Sequence, residues 1–343
     1  MEIKKDNPNY KSFVGVSMKE LEESCAEIQE DILRPFIKDG DATLIYSPSG
    51  VGKSFFSLGV AVAIASGGEF LGYEAPKPKR VMYIDGEMSK WQLKARVDAS
   101  TTTSNKKLID KNLSFVNREL SQKMFPDIGN EKEWLWAHKA IIESAVEVVV
   151  FDNFSTLALG VEDENSASSF NNTLELILEL KQSGVLPILI HHANKTGQSY
   201  RGSTKIEAIF SNIISLERSN AIDLSLGAGF RVKFTKNRNE HSECTEPRTV
   251  QLVKDEGWKV VETNDDFDEK VLAELKSFKH TNQTELAKAL GVKQYSIARS
   301  KKRLIANKKI SHSDWTNFLV AANDNVSMTD DFDDSDSLVN EDF

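Results

Sequence analysis

Between residues 42 and 66 the chain runs from an apolar stretch, Ala42-Thr-Leu-Ile-Tyr46, through Ser47-Pro-Ser-Gly-Val-Gly-Lys53-Ser54 into small and apolar residues that predict a helix. No other segment restricts the fold as strongly. A strand that turns through glycines directly into a helix aims consecutive backbone N–H groups, and the positive end of the helix, at one point. Such a point binds an anion, and Gly50 and Gly52 let the backbone approach it closely. A lysine there reaches the terminal phosphates of a nucleotide and a serine hydroxyl holds Mg²⁺, which are the roles expected of Lys53 and Ser54. Ser47, Pro48, Ser49, Gly50, Val51, Gly52, Lys53, Ser54 and Phe55 are therefore the candidate site for ATP with Mg²⁺. Ser47 stands where G-x-x-x-x-G-K-[ST] has its first glycine, a departure at the entry to the turn.

The flanking sequence supports a fold able to present this loop. Apolar runs at 80–85, 146–152 and 185–190 join 42–46 as strand candidates, and helix candidates lie between them at 54–66, 89–99, 131–144 and 166–183. Continuous apolar strands alternating with helices indicate a mostly parallel sheet covered on both faces, an α/β fold. Further runs at 209–216, 221–226, 230–235 and 248–254 are closely spaced and read as antiparallel additions at the sheet edge. A helix is expected near 18–32.

Two strand ends carry acids. Asp152 closes Val146–Phe151, where its carboxylate can join Ser54 in holding Mg²⁺. Asn153 beside it is not acidic, so a base that orients water must come from elsewhere. Glu87, in Val81-Met-Tyr-Ile-Asp-Gly-Glu-Met88, is the candidate, with Asp85 as its competitor. His191 and His192 end another strand; either could sense a terminal phosphate, and neither has the neighbours of a zinc site.

The net charge of -9 argues against a nucleic-acid partner only until its distribution is seen. Eight acids and no Lys or Arg follow Phe318, and without them the chain is close to -1. Glu269 to His312 holds eleven Lys or Arg against three Glu. Within it, helix candidates at 269–278, 284–291 and 294–305, with a Leu-Gly-Val turn between the last two, read as a helix-turn-helix. The segment after Ala306 could start a wing, and Arg299, Lys301, Lys302, Arg303, Lys308 and Lys309 are expected to contact phosphates. The tail is too acidic and too poor in apolar residues to be expected to fold. The expected division is an N-terminal segment 1–30, an ATPase domain 31–262, a winged-helix or helix-turn-helix module 263–316 and a disordered acidic tail 317–343. Two cysteines without metal spacing, and no long apolar run, suggest a reduced cytoplasmic protein with no membrane partner.

In order and spacing these motifs resemble the RepA-type plasmid replicative helicases and related RecA-like ATPases of phages, a DnaB-related group. The pieces are 36–46 leading into the loop, Gly68-Glu-Phe-Leu-Gly72, 81–88, 149–152, 190–195 and Arg201-Gly-Ser203, and together they span about 34–259. The resemblance implies a RecA-like core, Glu87 as the catalytic carboxylate and His192 or His191 as the phosphate sensor. It also implies that Lys236 and Arg238, in Phe234-Thr-Lys-Asn-Arg238, enter the ATP site of a neighbouring subunit. Arg201 could be a second phosphate contact or line a DNA channel. Expected partners are single-stranded DNA, further copies in a ring, most simply a hexamer, and a replication protein that docks the acidic tail through Phe343. The alternatives are a DNA-binding loader or regulator that hydrolyses ATP without unwinding, and a small-molecule kinase.

Overall fold

The computed structural model describes residues 15–319, apart from 27, 102–104, 122–124, 160–169, 195–199, 201–204, 220–221, 224–226, 254–255 and 262. Arg201 and residues 320–343 lie outside the described residues; the first three residues of the expected disordered tail, 317–319, are instead helical, and Phe318 and Leu319 pack against the C-terminal core.

The chain opens with a short helix, α1 (Met18–Ser24), and a hairpin of β1 (Asp31–Leu33) and β2 (Ile37–Lys38). β3 (Thr43–Ser47) leads into α2 (Lys53–Ser66), and a second small hairpin, β4 (Glu69–Phe70) with β5 (Tyr73–Glu74), precedes β6 (Val81–Asp85). Then come α3 (Lys90–Ser100), α4 (Lys106–Asn112), β7 (Leu113–Asn117), α5 (Glu131–Glu143) and β8 (Val148–Asp152). The short α6 (Phe154–Leu157), α7 (Asn171–Gln182), β9 (Leu186–His192) and α8 (Lys205–Ile209) follow. Four strands, β10 (Asn212–Glu217), β11 (Gly229–Asn237), β12 (Arg248–Val253) and β13 (Gly257–Val261), end the sheet. Helices α9 (Asn264–Leu275), α10 (Gln283–Ala289) and α11 (Gln294–Ala306) come last, with a further helical stretch at 312–319.

The main sheet runs β13-β12-β11-β10-β3-β9-β8-β6-β7, parallel from β10 to β7 and antiparallel beyond. Both faces of its parallel half are buried, so the strands are apolar throughout, but their side chains still alternate. Ile45, Tyr83, Val148, Val150 and Ile190 face α2, α3 and α4. Leu44, Tyr46, Ile84, Val149, Phe151 and Leu189 face α5, α6 and α7. α2 is buried almost all round, and its sequence accordingly lacks a polar face. β3 sits near the middle, separated from β8 by β9, in a mostly parallel α/β core. This order gathers the carboxyl ends of β3, β9, β8 and β6 along one rim.

Several expectations are corrected. β10 is parallel to β3 and only the strands after it are antiparallel, because the crossover through α8 returns the chain to the opposite rim first. Residues 222–223 form no strand, and the rest of that expected run lies outside the described residues. The N-terminal helix ends at Ser24, before the β1 hairpin. α9 begins at Asn264, five residues earlier than expected, because the Thr263 side chain caps it by accepting from Asp266 N.

The C-terminal helices have their own core of Val271, Leu275, Leu286, Ile297, Leu304, Ile310 and Trp315. α10 and α11 are joined through Gly291, whose φ of +65° supplies the left-handed turn the Leu-Gly-Val pattern anticipates. Where a wing was expected, the chain turns and becomes helical at 312–319, and Trp315 fills the core. The basic face is also narrower than expected. Arg303 is turned inward onto Asp268 (2.5 and 2.7 Å), Lys309 pairs with Glu269 (3.3 Å) and Lys301 lies over the Trp315 ring. Tyr295, Arg299, Lys302 and Lys308 remain exposed.

Candidate nucleotide site

β3 ends at Ser47, and the chain turns through Gly50 (φ +76°) and Gly52 (φ +125°) before α2 begins at Lys53. These positive angles are open to glycine and closed to most side chains. Gly52 also has no room for a side chain, since a Cβ there would stand 2.8 Å from the Phe230 ring. Ser47, by contrast, is the last residue of β3, paired with His192, so its extended backbone needs no glycine. Its hydroxyl donates to the Pro48 carbonyl (2.8 Å), which explains how the loop accommodates the departure from pattern.

The loop opens into a cleft of about 470 Å³. Lys53 and Ser54 lie on its floor, Glu87 and Asn153 on one wall, and His192, Gln92 and Arg96 around them. Lys53 Nζ is buried among loop carbonyls, donating to Ser47 (3.3 Å) and Pro48 (3.4 Å), and also to His192 Nδ1 (3.2 Å). Ser49 Oγ lies 3.3 Å from the same ring nitrogen. The two histidines thus separate. His192 reaches the loop, whereas His191 is buried edge-on to the rings of Phe154 and Phe170.

The two carboxylates of 85–87 separate as well. Asp85 is buried and occupied, accepting from the backbone N–H of Glu87 and Met88 (3.2 Å each) and from Asn117 Nδ2 (2.6 Å). It holds the turn that projects Glu87. Glu87 is exposed in the cleft, where Asn153 Nδ2 donates to its Oε2 (2.7 Å). The Asp152–Asn153 peptide is cis.

Asp152 is buried at the rim and accepts a 2.5 Å hydrogen bond from Tyr83, whose hydroxyl also meets Ser57 Oγ at 2.7 Å. Burial raises the Asp152 carboxyl to about 6; hydrogen bonds from Tyr83 and Ser54 oppose this, and the charges of Asp85 and Glu87 add to it. Burial also holds the Tyr83 phenol well above the usual tyrosine range, so it remains a donor. A carboxylate held in so unfavourable a setting, next to a serine hydroxyl, suits a hard divalent cation with oxygen ligands. Ser54 and Asp152 would hold Mg²⁺, whose charge offsets both the burial and the neighbouring acids. Among the described residues no cluster of three or more His, Cys, Asp or Glu is placed to hold a metal ion by itself.

Lys236 and Arg238 are not brought to this cleft. They lie at the far end of β11, where Lys236 Nζ donates to the Glu207 carbonyl and Arg238 is exposed. Burial and the charge of Arg238 lower the Lys236 pKa.

Reasoning from sequence missed several supporting side chains. Asn153 steers Glu87, although it was set aside for lacking a charge. Tyr83 was detectable as a phenol inside an otherwise apolar strand, since a buried hydroxyl needs a partner. Arg118 braces both turns of the rim, donating to the carbonyls of Gly86 (3.2 Å) and Thr156 (2.6 Å), with its guanidinium over Phe125. Arg96 stacks on Phe55 (4.9 Å) at the cleft wall, and no local pattern marks that pair.

Two solved structures are similar in shape. One is a KaiC-like protein from Pyrococcus horikoshii OT3, 18% identical with a TM-score of 0.47, covering 67% of this chain and 94% of that one. The other is the flagellar accessory protein FlaH from Methanocaldococcus jannaschii, 13% identical with a TM-score of 0.46, covering 66% and 91%. No curated protein matches the chain. A family model described as AAA domain matches residues 10–198, more than half of the sequence and all of the loop, acid and histidine positions around the cleft. The chain belongs to the AAA domain family of nucleotide-binding P-loop ATPases.

Proposed function

We propose that this ATPase is a ring-forming DNA helicase or translocase of phage or plasmid replication. One observation carries the reading: Lys236 and Arg238 sit at the opposite end of the sheet from the cleft of their own chain. Seven strand residues at about 3.3 Å each put Lys236 on the order of 20 Å from Gly229, which lines that cleft. A Lys-x-Arg pair so placed serves a nucleotide only if another subunit supplies it.

In this reading the backbone N–H groups of the loop and Lys53 bind the phosphates of ATP, and Ser54 and Asp152 hold Mg²⁺. Mg²⁺, when bound, neutralises phosphate charge. Glu87, aimed by Asn153, orients the attacking water and takes its proton. His192, already in contact with Lys53, registers the terminal phosphate. Arg238, with Lys236, supplies positive charge from the next subunit as the transferred phosphoryl group becomes more exposed, so hydrolysis depends on assembly. A hexamer is the simplest ring.

Single-stranded DNA is the proposed partner of α11, whose exposed Tyr295, Arg299 and Lys302 combine a stacking ring with phosphate-binding cations. The acidic tail ending in Phe343 is proposed to dock a replication protein, testable by pull-down with and without Phe343. The pairing of Arg303 with Asp268 and of Lys309 with Glu269, and the contact of Lys301 with the Trp315 ring, favour a second reading, since a thinner basic face suits a loader or regulator that switches without unwinding.

ATPase assays with and without single-stranded DNA, paired with a strand-displacement assay, separate these. The proposal expects DNA to stimulate turnover and duplex to be unwound. Stimulation without unwinding would favour the loader or regulator, and high turnover on a small acceptor would favour a kinase.

A further inference from the structure

Strand β11 joins the sheet beside the phosphate loop. Its second residue, Phe230, is fully buried against Gly52 and packs on Phe56 of α2. The next residue, Arg231, points to the opposite face and is only 5% exposed. Its Nε donates to Asp266 (2.5 Å) and its Nη1 to Glu269 (3.0 Å), both on α9, and its Nη2 lies 2.8 Å from the other Glu269 carboxylate oxygen. Glu217 of β10 is farther away at 3.5 Å. Asp266 also accepts from Thr249 N of β12 (3.2 Å) and from Thr263 Oγ1 (2.6 Å). α9 is held in turn to α11 by Arg303 on Asp268.

A buried guanidinium cannot leave its carboxylates without exposing an uncompensated charge to an apolar setting. The position of β11 near Arg231 is therefore fixed by α9 as well as by its strand partners. Phe230, one residue away on the same rigid strand, fills the space under Gly52 and limits where the loop can lie. Close packing transmits such a constraint because the interior has no slack to absorb it.

We propose that Arg231 is a positioning residue for the phosphate loop, and that through it α9 makes the C-terminal helices a working part of the nucleotide site. The proposal rests on the reading of that loop as the nucleotide site. Coupling of this kind is reciprocal. Weakening the α9 contact must weaken nucleotide binding, and nucleotide must in turn steady α9.

The test uses the full-length protein and a fluorescent ATP analogue, with circular dichroism and thermal melting to confirm folding. Arg231→Gln and Glu269→Gln should each bind the analogue about fivefold more weakly or worse. Glu217→Gln should bind like wild type, since the Glu217 contact is long and does not involve α9. Amide exchange of α9 should slow on adding nucleotide in wild type and respond less in Glu269→Gln. That response would not follow from a merely structural role. If Arg231→Gln fails to fold, Glu269→Gln decides the matter, because Asp266 still pairs with the guanidinium. A folded Glu269→Gln protein with wild-type affinity and wild-type α9 protection would overturn the proposal. So would equal weakening by Glu217→Gln. Wild-type protein that binds no nucleotide would overturn the site reading and this proposal together, a result distinct from normal wild-type binding with indifferent variants.

Discussion

Glu87 and Asp85 lie two residues apart, yet the turn gives them different work. Asp85 accepts three hydrogen bonds in the interior, and Glu87 stands in the cleft with one, from Asn153. Glu87→Gln should keep nucleotide binding and lower the hydrolysis rate by about 10²–10⁴-fold, because it removes a base and no phosphate contact. Asn153→Ala should leave KM near wild type and lower kcat by roughly one to two orders of magnitude, since it only misplaces that base. Asp85→Asn should show its main effect in the thermal melt, with Glu87 losing its support as the turn loosens. Steady-state kinetics with parallel melting curves check all three, and normal turnover in Glu87→Gln would remove it as the base. At this scale the sequence was legible where a motif fixes the backbone, as in Gly50, Gly52, Lys53 and Ser54. Sequence spacing left Glu87 against Asp85 and His192 against His191 open, because each choice turns on which way a side chain leaves a strand end.

Elements were legible where they are long and their pattern has one explanation. The four central parallel strands and the helices between them follow from apolar runs of five or more residues broken by helical stretches. The hairpins β1–β2 and β4–β5 are too short to show a period. β7, an edge strand, mixes exposed and buried positions. The C-terminal helices were anticipated, but not the inward pairing of their charges, since Asp268 and Glu269 look like an ordinary solvated helix face. That pairing makes the acid response of the module predictable. The Arg231 guanidinium, with Lys233 and Lys309, outweighs burial and lowers the Glu269 carboxyl to about 2, from 4.5. A depressed carboxyl stabilises the fold fully above its unfolded value and loses that contribution as pH falls through the folded value. The stability advantage of wild type over Glu269→Gln should therefore be complete above about pH 4.5 and gone near pH 2. Acid titration of both proteins by circular dichroism checks this, and a constant difference across that window would show that Glu269 contributes by packing alone. The same inward turn divides the cations of α11. Lys302→Ala should weaken single-stranded DNA binding and reduce the slope of log affinity against log salt by about 0.7. Arg303→Ala should leave that slope unchanged and lower the melting temperature, because its charge is already committed to Asp268.

At the scale of the whole molecule, the residues of the proposed mechanism fall on two ends of one sheet. The cleft is at the carboxyl rim of the parallel strands, and β11, running antiparallel to them, delivers Lys236 and Arg238 to the amino rim. In the proposed ring a single chain would carry half of each of two sites. This makes subunit mixing a direct test. Arg238→Ala should bind ATP nearly as well as wild type and hydrolyse it poorly, because its own phosphate loop is intact and the neighbour's is missing a cation. Lys53→Ala should fail at hydrolysis because its own loop no longer holds the terminal phosphates. Neither protein alone has a complete site anywhere in its ring. Once the two exchange subunits, an interface can form in which the loop of an Arg238→Ala chain meets the arginine of a Lys53→Ala chain, and that interface has every part. The mixture should then hydrolyse ATP above the sum of its separated components, with an excess that depends on the mixing ratio and is greatest near equal amounts. Subunit exchange has to be followed independently, by fluorescence transfer between labelled copies. Exchange without any gain in hydrolysis would place Arg238 outside the site, and a chain that stays monomeric while saturated with ATP and DNA would remove the ring altogether.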